Sequence, residues 1–127
     1  MKIVALIARV LLGLSFVVFG ANGLHPFLPN PGLPPGIPGQ FAGAMVASHY
    51  MQVVAALQLL GGLLLLVNRY PVLGLTILGP ILVNILLFHI LMLSMGISIA
   101  LFAAVLWCIV AWWHRKYFAG LFVERAV

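Results

Sequence analysis

An all-α fold embedded in a lipid bilayer, a bundle of four transmembrane helices, follows from three observations. The composition is almost uncharged, four apolar runs reach membrane-spanning length, and the basic residues fall on one side of the resulting threading. Hydrophobic residues make up 65% of the 127 residues and charged ones only 6%, whereas a soluble domain carries roughly a quarter. Lipid must therefore replace water over most of the exterior. Glu124 is the single acidic residue against six basic ones, for a net charge of +5. Because the basic residues sit at the ends of the apolar runs rather than along one face, this charge reads as an orientation signal and not as a nucleic-acid surface.

The four runs are 3–21, 44–67, 72–93 and 96–113, each long enough at about 1.5 Å per residue to approach the ~30 Å hydrocarbon layer. Backbone groups in lipid must be satisfied within their own segment, which selects helices, and the alternating ten-residue pattern of a barrel is absent. The first run resembles a signal peptide, but it is too long and contains Arg9, so it is expected to remain as helix one. Residues 22–43 hold six of the eight prolines, at 26, 29, 31, 34, 35 and 38, and no formal charge. This density predicts a stiff extended loop. Asn68-Arg69-Tyr70-Pro71 predicts a tight turn, with Pro71 opening helix three. The tail, 114–127, begins with Arg115-Lys116 after His114 and predicts an amphipathic segment along the interface. The whole chain, 1–127, reads as a single domain.

Orientation follows from the basic residues. Lys2, Arg69, Arg115, Lys116 and Arg125 all lie on one side of a chain that crosses four times. That asymmetry predicts both termini in the cytoplasm and the proline-rich loop outside. Trp112, Trp113 and Tyr117 sit where aromatic residues favour the interface.

Polar residues inside apolar runs are the candidate functional groups. Arg9 lies within two turns of the start of helix one, from where it can snorkel, and shares a face with Gly13, Phe16 and Gly20. It reads either as an anchor or as a charge partner for Glu124, an anionic ligand or a quinone headgroup. Thr76, Pro80 and Asn84 recur at spacing four on helix three, and Asn84 is expected to face the bundle interior and pair with Gln58 on helix two. The two amides read as structural glue or as the polar lining of a ligand cavity. His25, His49 and His89 fall toward the outer face as a weak cluster, for which interfacial packing, a hydrogen-bonding site or a metal remain open. No two of them stand at i+3 or i+4, so no metal site is expected and haem or copper is disfavoured.

Cys108, the only cysteine, excludes an intrachain disulfide or CxxC pair and reads as a small packing residue in an apolar run. No carboxylate lies in any span, which disfavours a proton-driven exporter. No nucleophile–base pair, phosphate loop or metal signature marks a self-contained active site.

The set Arg9-x3-Gly13-x2-Phe16-x2-Phe19-Gly20-x-Asn22-Gly23, Gln58-Leu59-Leu60-Gly61-Gly62, Asn68-Arg69-Tyr70 and Pro80-x3-Asn84 resembles the DoxX family of small bacterial four-helix membrane proteins, over almost the whole chain. That family is associated with quinol oxidase and thiosulfate:quinone oxidoreductase systems. The resemblance implies a redox-associated subunit of the bacterial inner (cytoplasmic) membrane, without an intrinsic cofactor and without an assigned catalytic residue. Quinone is the ligand it brings into view, with Arg9, Gln58, Asn84 and His89 as headgroup candidates. Two other functions stand beside it: a non-catalytic assembly subunit of a larger membrane complex, and a small-molecule transporter built as a homo-oligomer. Membrane lipids are partners in every case.

Overall fold

The computed structural model describes residues 1–29 and 32–125. Pro31 of the proline-rich loop and the last two residues of the tail lie outside the described residues. Runs of Leu, Ile, Val and Ala with no acidic residue form helices throughout, and no strand occurs among the described residues.

Helix α1, Lys2–Leu24, has 23 residues, about 34 Å at the standard rise. At its end the Asn22 Oδ1 accepts hydrogen bonds from the amides of Phe27 and Leu28, both at 2.9 Å. This side-chain oxygen satisfies two backbone donors where the helix stops. The proline-rich connection is shorter than the expected 22–43, because α1 continues to Leu24 and helix α2, Ile37–Ala47, begins inside it. Pro38 fits the first turn of α2, where the missing N–H costs no helical bond.

The expected second span, 44–67, is two helices rather than one. Helix α2 meets helix α3, Tyr50–Leu66, at 82°. The break falls at Ser48-His49, where His49 takes a left-handed conformation, φ 64°. Ser48 Oγ accepts the Tyr50 amide at 3.3 Å, and His49 Nδ1 lies 3.1 Å from Gln52 Oε1. These local bonds offer the backbone an alternative to continuing the helix, which hydropathy does not register.

Asn68 and Tyr70 are both left-handed, with φ 55° and 54°, and reverse the chain into helix α4, Pro71–Leu91. The Arg69 amide closes back on the Leu64 carbonyl at 3.1 Å. Helix α5, Ile97–Trp113, follows a short turn and is succeeded by a 3-10 helix, Arg115–Phe122, bent by 86° from it. Helices α1 and α4 are each long and apolar enough to cross a membrane, and the number rises to four if each bent pair is one span.

Helix α1 packs on α3 and α5, α3 on α4, and α4 on α5, which closes a ring of four helices. Its core is Leu12, Phe16, Leu65, Leu75, Leu78, Leu82, Leu106 and Val110. The tightest seam is α1 against α3: a Cβ at Gly13 would stand 2.9 Å from the Gly62 carbonyl oxygen, and one at Gly62 would stand 2.8 Å from that of Gly13. Only glycine permits this backbone approach, and dispersion contacts along it hold the pair together where lipid offers little hydrophobic drive. Trp107 Nε1 donates to the Leu75 carbonyl at 3.0 Å, tying α5 to α4. Cys108 does not pack inside: it is exposed on α5, because Leu106 and Val110 occupy the inward face of that helix.

Candidate functional site

The polar residues singled out by sequence go to different places. Arg9, half-buried on α1, donates through its guanidinium to the carbonyls of Leu65 and, at 3.3 Å, of Leu66. The last carbonyls of a helix lack intrahelical donors and form its negative dipole end. Arg9 therefore caps α3 from a neighbouring helix. Its partner is not Glu124, which is exposed beyond the 3-10 helix.

Asn84 does not meet Gln58. It is exposed, and its Nδ2 donates to the Pro80 carbonyl of its own helix at 2.9 Å. Thr76 is likewise exposed and bonds to the Val72 carbonyl at 2.8 Å. The cause lies in α4 itself: Leu75, Leu78 and Leu82 occupy its inward face. At about 100° per residue, positions 76, 80 and 84 then fall on the far side.

The three histidines differ in exposure. His25 and His49 are exposed and His89 is half-buried. Among the described residues no group of three His, Cys, Asp or Glu side chains could hold a metal ion.

Gln58 and His89, by contrast, line one cavity of about 350 Å³ bounded by α1, α3, α4 and α5. Gln58 lies midway along α3, and His89 stands near the α4–α5 turn. Most of the wall is apolar, with Phe16, Leu82, Ile85 and Ala103 among its residues. Phe19 and Phe102 line it too and are 46% and 57% exposed, so the cavity reaches the outer surface between α1 and α5.

Three polar side chains face this space. Ser15 Oγ donates to the Leu11 carbonyl at 2.7 Å, which leaves its oxygen lone pairs available. His89 Nδ1 lies 3.0 Å from the Leu93 carbonyl, and a carbonyl can only accept, so Nδ1 carries the hydrogen. In the neutral ring Nε2 is then an acceptor. The ring is held on its other side by Gly96, where a Cβ would meet His89 Cε1 at 3.1 Å. Gln58 is half-buried, and its carboxamide has no hydrogen-bond partner among the described residues. Apolar walls with a few convergent polar groups are the usual form of a small-molecule site. Here they can hold a flat ring bearing hydroxyl or carbonyl oxygens.

Sequence reasoning missed Ser15. Its signal was a hydroxyl in the middle of an apolar run, but serine bonds readily to its own helix in lipid and so gives little away. Neither Arg9 nor Asn84 reaches the cavity. The arrangement defines an all-helical chain with two to four stretches long and apolar enough to cross a membrane and a ligand-sized cavity between its helices. No family model, curated protein or solved structure matches the chain.

Proposed function

We propose that the chain is a four-span membrane protein with both termini cytoplasmic, and that its cavity binds the ring of a lipid-soluble quinone or quinol. In this reading it is the membrane subunit of a quinone-linked redox system. The observation that carries it is the unpartnered Gln58 carboxamide in a mostly apolar cavity. An amide without a partner at bilayer depth is costly, and a ligand oxygen and hydroxyl together answer both its donor and its acceptor. His89 Nε2 and Ser15 Oγ supply further acceptors for a quinol hydroxyl.

The opening between α1 and α5 suits a ligand that arrives laterally from the lipid. The four spans are α1, α3, α4 and α5. At 17 residues each, α3 and α5 are at the short end of the roughly 17–25 that cross a bilayer. The one-sided Lys and Arg set the orientation, and the resemblance to DoxX proteins in the Arg9–Gly23 and Gln58–Gly62 segments points to the same redox context. No side chain of the site carries electrons itself, so a partner subunit supplies the redox centre.

A free glycine-rich face would have favoured the assembly-subunit reading. Gly13, Gly20, Gly61 and Gly62 are instead buried between the chain's own helices.

The test is equilibrium binding of decylubiquinone to the purified full chain in detergent, compared with Gln58→Leu and His89→Phe. Saturable binding that weakens about tenfold in Gln58→Leu is expected, the scale of one lost hydrogen bond plus an unmatched ligand oxygen. Equal binding by all three proteins, or none by the wild type, would remove the quinone reading.

A further inference from the structure

The outward face of α4 carries polar groups at a depth where lipid offers them no partner. Helix α4 passes the length and hydropathy requirement for a membrane span by itself. Asn84 lies thirteen residues after Pro71, about 20 Å along the axis, and so within the ~30 Å hydrocarbon layer. It is exposed, and one amide hydrogen serves the Pro80 carbonyl. Its second amide hydrogen and its Oδ1 have no partner among the described residues. Pro80 has no N–H to give the Thr76 carbonyl four residues back, so that carbonyl, beside an exposed side chain, lacks its helical donor.

Beside Asn84 runs a stripe of exposed residues, Leu73, Thr76, Pro80, Val83, Leu87 and Ile90, at alternating spacings of three and four. That spacing presents a seam to a second helix crossing at about +20°. None of these residues is charged.

We propose that this face of α4 is the interface between two copies of the chain, with the two Asn84 carboxamides bonded to each other across a two-fold axis. A carboxamide carries both a donor and an acceptor. Two of them related by a two-fold therefore close reciprocal N–H···O bonds with nothing supplied by a foreign protein. The flanking Leu, Val and Ile side chains are apolar on both copies, so pairing them leaves no charge or further polar side chain buried in the seam. A different protein would need its own amide at matching depth, and a lipid tail offers no hydrogen-bonding group at all. The interface lies on the side of α4 opposite the cavity, so dimerisation and ligand binding are separable.

The test uses the full chain carrying Cys108→Ala in vesicles of phosphatidylcholine and phosphatidylglycerol. A single cysteine is placed on the seam (Val83→Cys or Leu87→Cys) or on the exposed side of α5 (Leu101→Cys). Oxidative cross-linking is followed as the protein is diluted in lipid. The seam cysteines should cross-link and the α5 cysteine should not. Adding Asn84→Leu should lower the association constant about tenfold, the scale of an interhelical amide bond, while Asn84→Gln retains association. Circular dichroism should be unchanged, because the substitution is on the surface and apolar. A monomer at every dilution, equal cross-linking from Leu101→Cys, or a dimer indifferent to Asn84→Leu would overturn the proposal. So would a chain that is monomeric alone but cross-links through Val83→Cys to another protein in native membranes.

Discussion

The Arg9 guanidinium on α1 donates to the Leu65 carbonyl at the end of α3, so a charge about two turns into one helix finishes another. A second bond to the Leu66 carbonyl, at 3.3 Å, uses the same Nη1. The Leu65 carbonyl also accepts the Asn68 amide at 3.3 Å, so Arg9 adds a second donor there, supplies one to Leu66, and sets a positive charge against the negative dipole end of α3.

Removing this cap should destabilise the bundle without preventing insertion. Arg9→Leu is expected to lose about 1.5–3 kcal/mol, the range for hydrogen bonds to a charged group. Arg9→Lys should recover part of it, since lysine keeps the charge and lacks the planar fork. Thermal unfolding in one detergent compares the three. A wild-type midpoint for Arg9→Leu would show that α3 does not depend on this contact.

The Gly13–Gly62 seam makes a second, sterically defined prediction. A methyl at Gly62 would stand 2.8 Å from both the Gly13 carbonyl oxygen and the Val17 amide nitrogen, and neither backbone atom can swing aside. Gly62→Ala should cost about 1–3 kcal/mol. Gly120→Ala, where nothing lies within 4 Å, should fall within about 0.5 kcal/mol of wild type. Equal losses at the two positions would mean that the close approach is not what holds α1 to α3.

Gln58 and Asn84 should behave as independent residues. One faces the cavity and the other the outer side of α4, so Gln58→Leu and Asn84→Leu are expected to add within about 0.5 kcal/mol. Equilibrium unfolding of the two single variants and the double variant measures this. A coupling above about 1 kcal/mol would restore the interhelical amide pair expected from sequence.

Topology supplies the remaining prediction. Reporter fusions at the C-terminus and at Arg69 should read cytoplasmic, and one within 33–38 should read external, because Lys and Arg are confined to one side of the threading. A C-terminal fusion active on the outside would reverse the orientation.

How far the site could be read from sequence depended on the kind of signal each residue gave. The apolar runs announced their helices through composition alone, and Asn68 to Pro71 announced a turn as a polar break with a proline suited to open the next helix. The break at Ser48-His49 gave no such notice. It rests on a serine hydroxyl and a left-handed histidine inside a run whose hydropathy stays high, so 44–67 looked continuous. Gln58 and His89 were legible as polar residues with apolar alternatives, but their meeting in one cavity was not. Asn84 had the same signature as Gln58 and went the other way.

The membrane-embedded, all-helical character of the chain was determined by the sequence by itself, because hydropathy and the lack of charge act on whole segments and need no partner to take effect. Which face of each helix turns inward was decided only by the tertiary structure. In α4 the inward set is Leu75, Leu78 and Leu82, and in a helix apolar on every side no periodicity marks that choice in advance. Packing made it: α1 and α3 approach through Gly13 and Gly62, the leucines of α4 fill the space beside them, and the rotation so imposed sent Asn84 outward. On the neighbouring helices the same packing left Gln58 and His89 on one cavity.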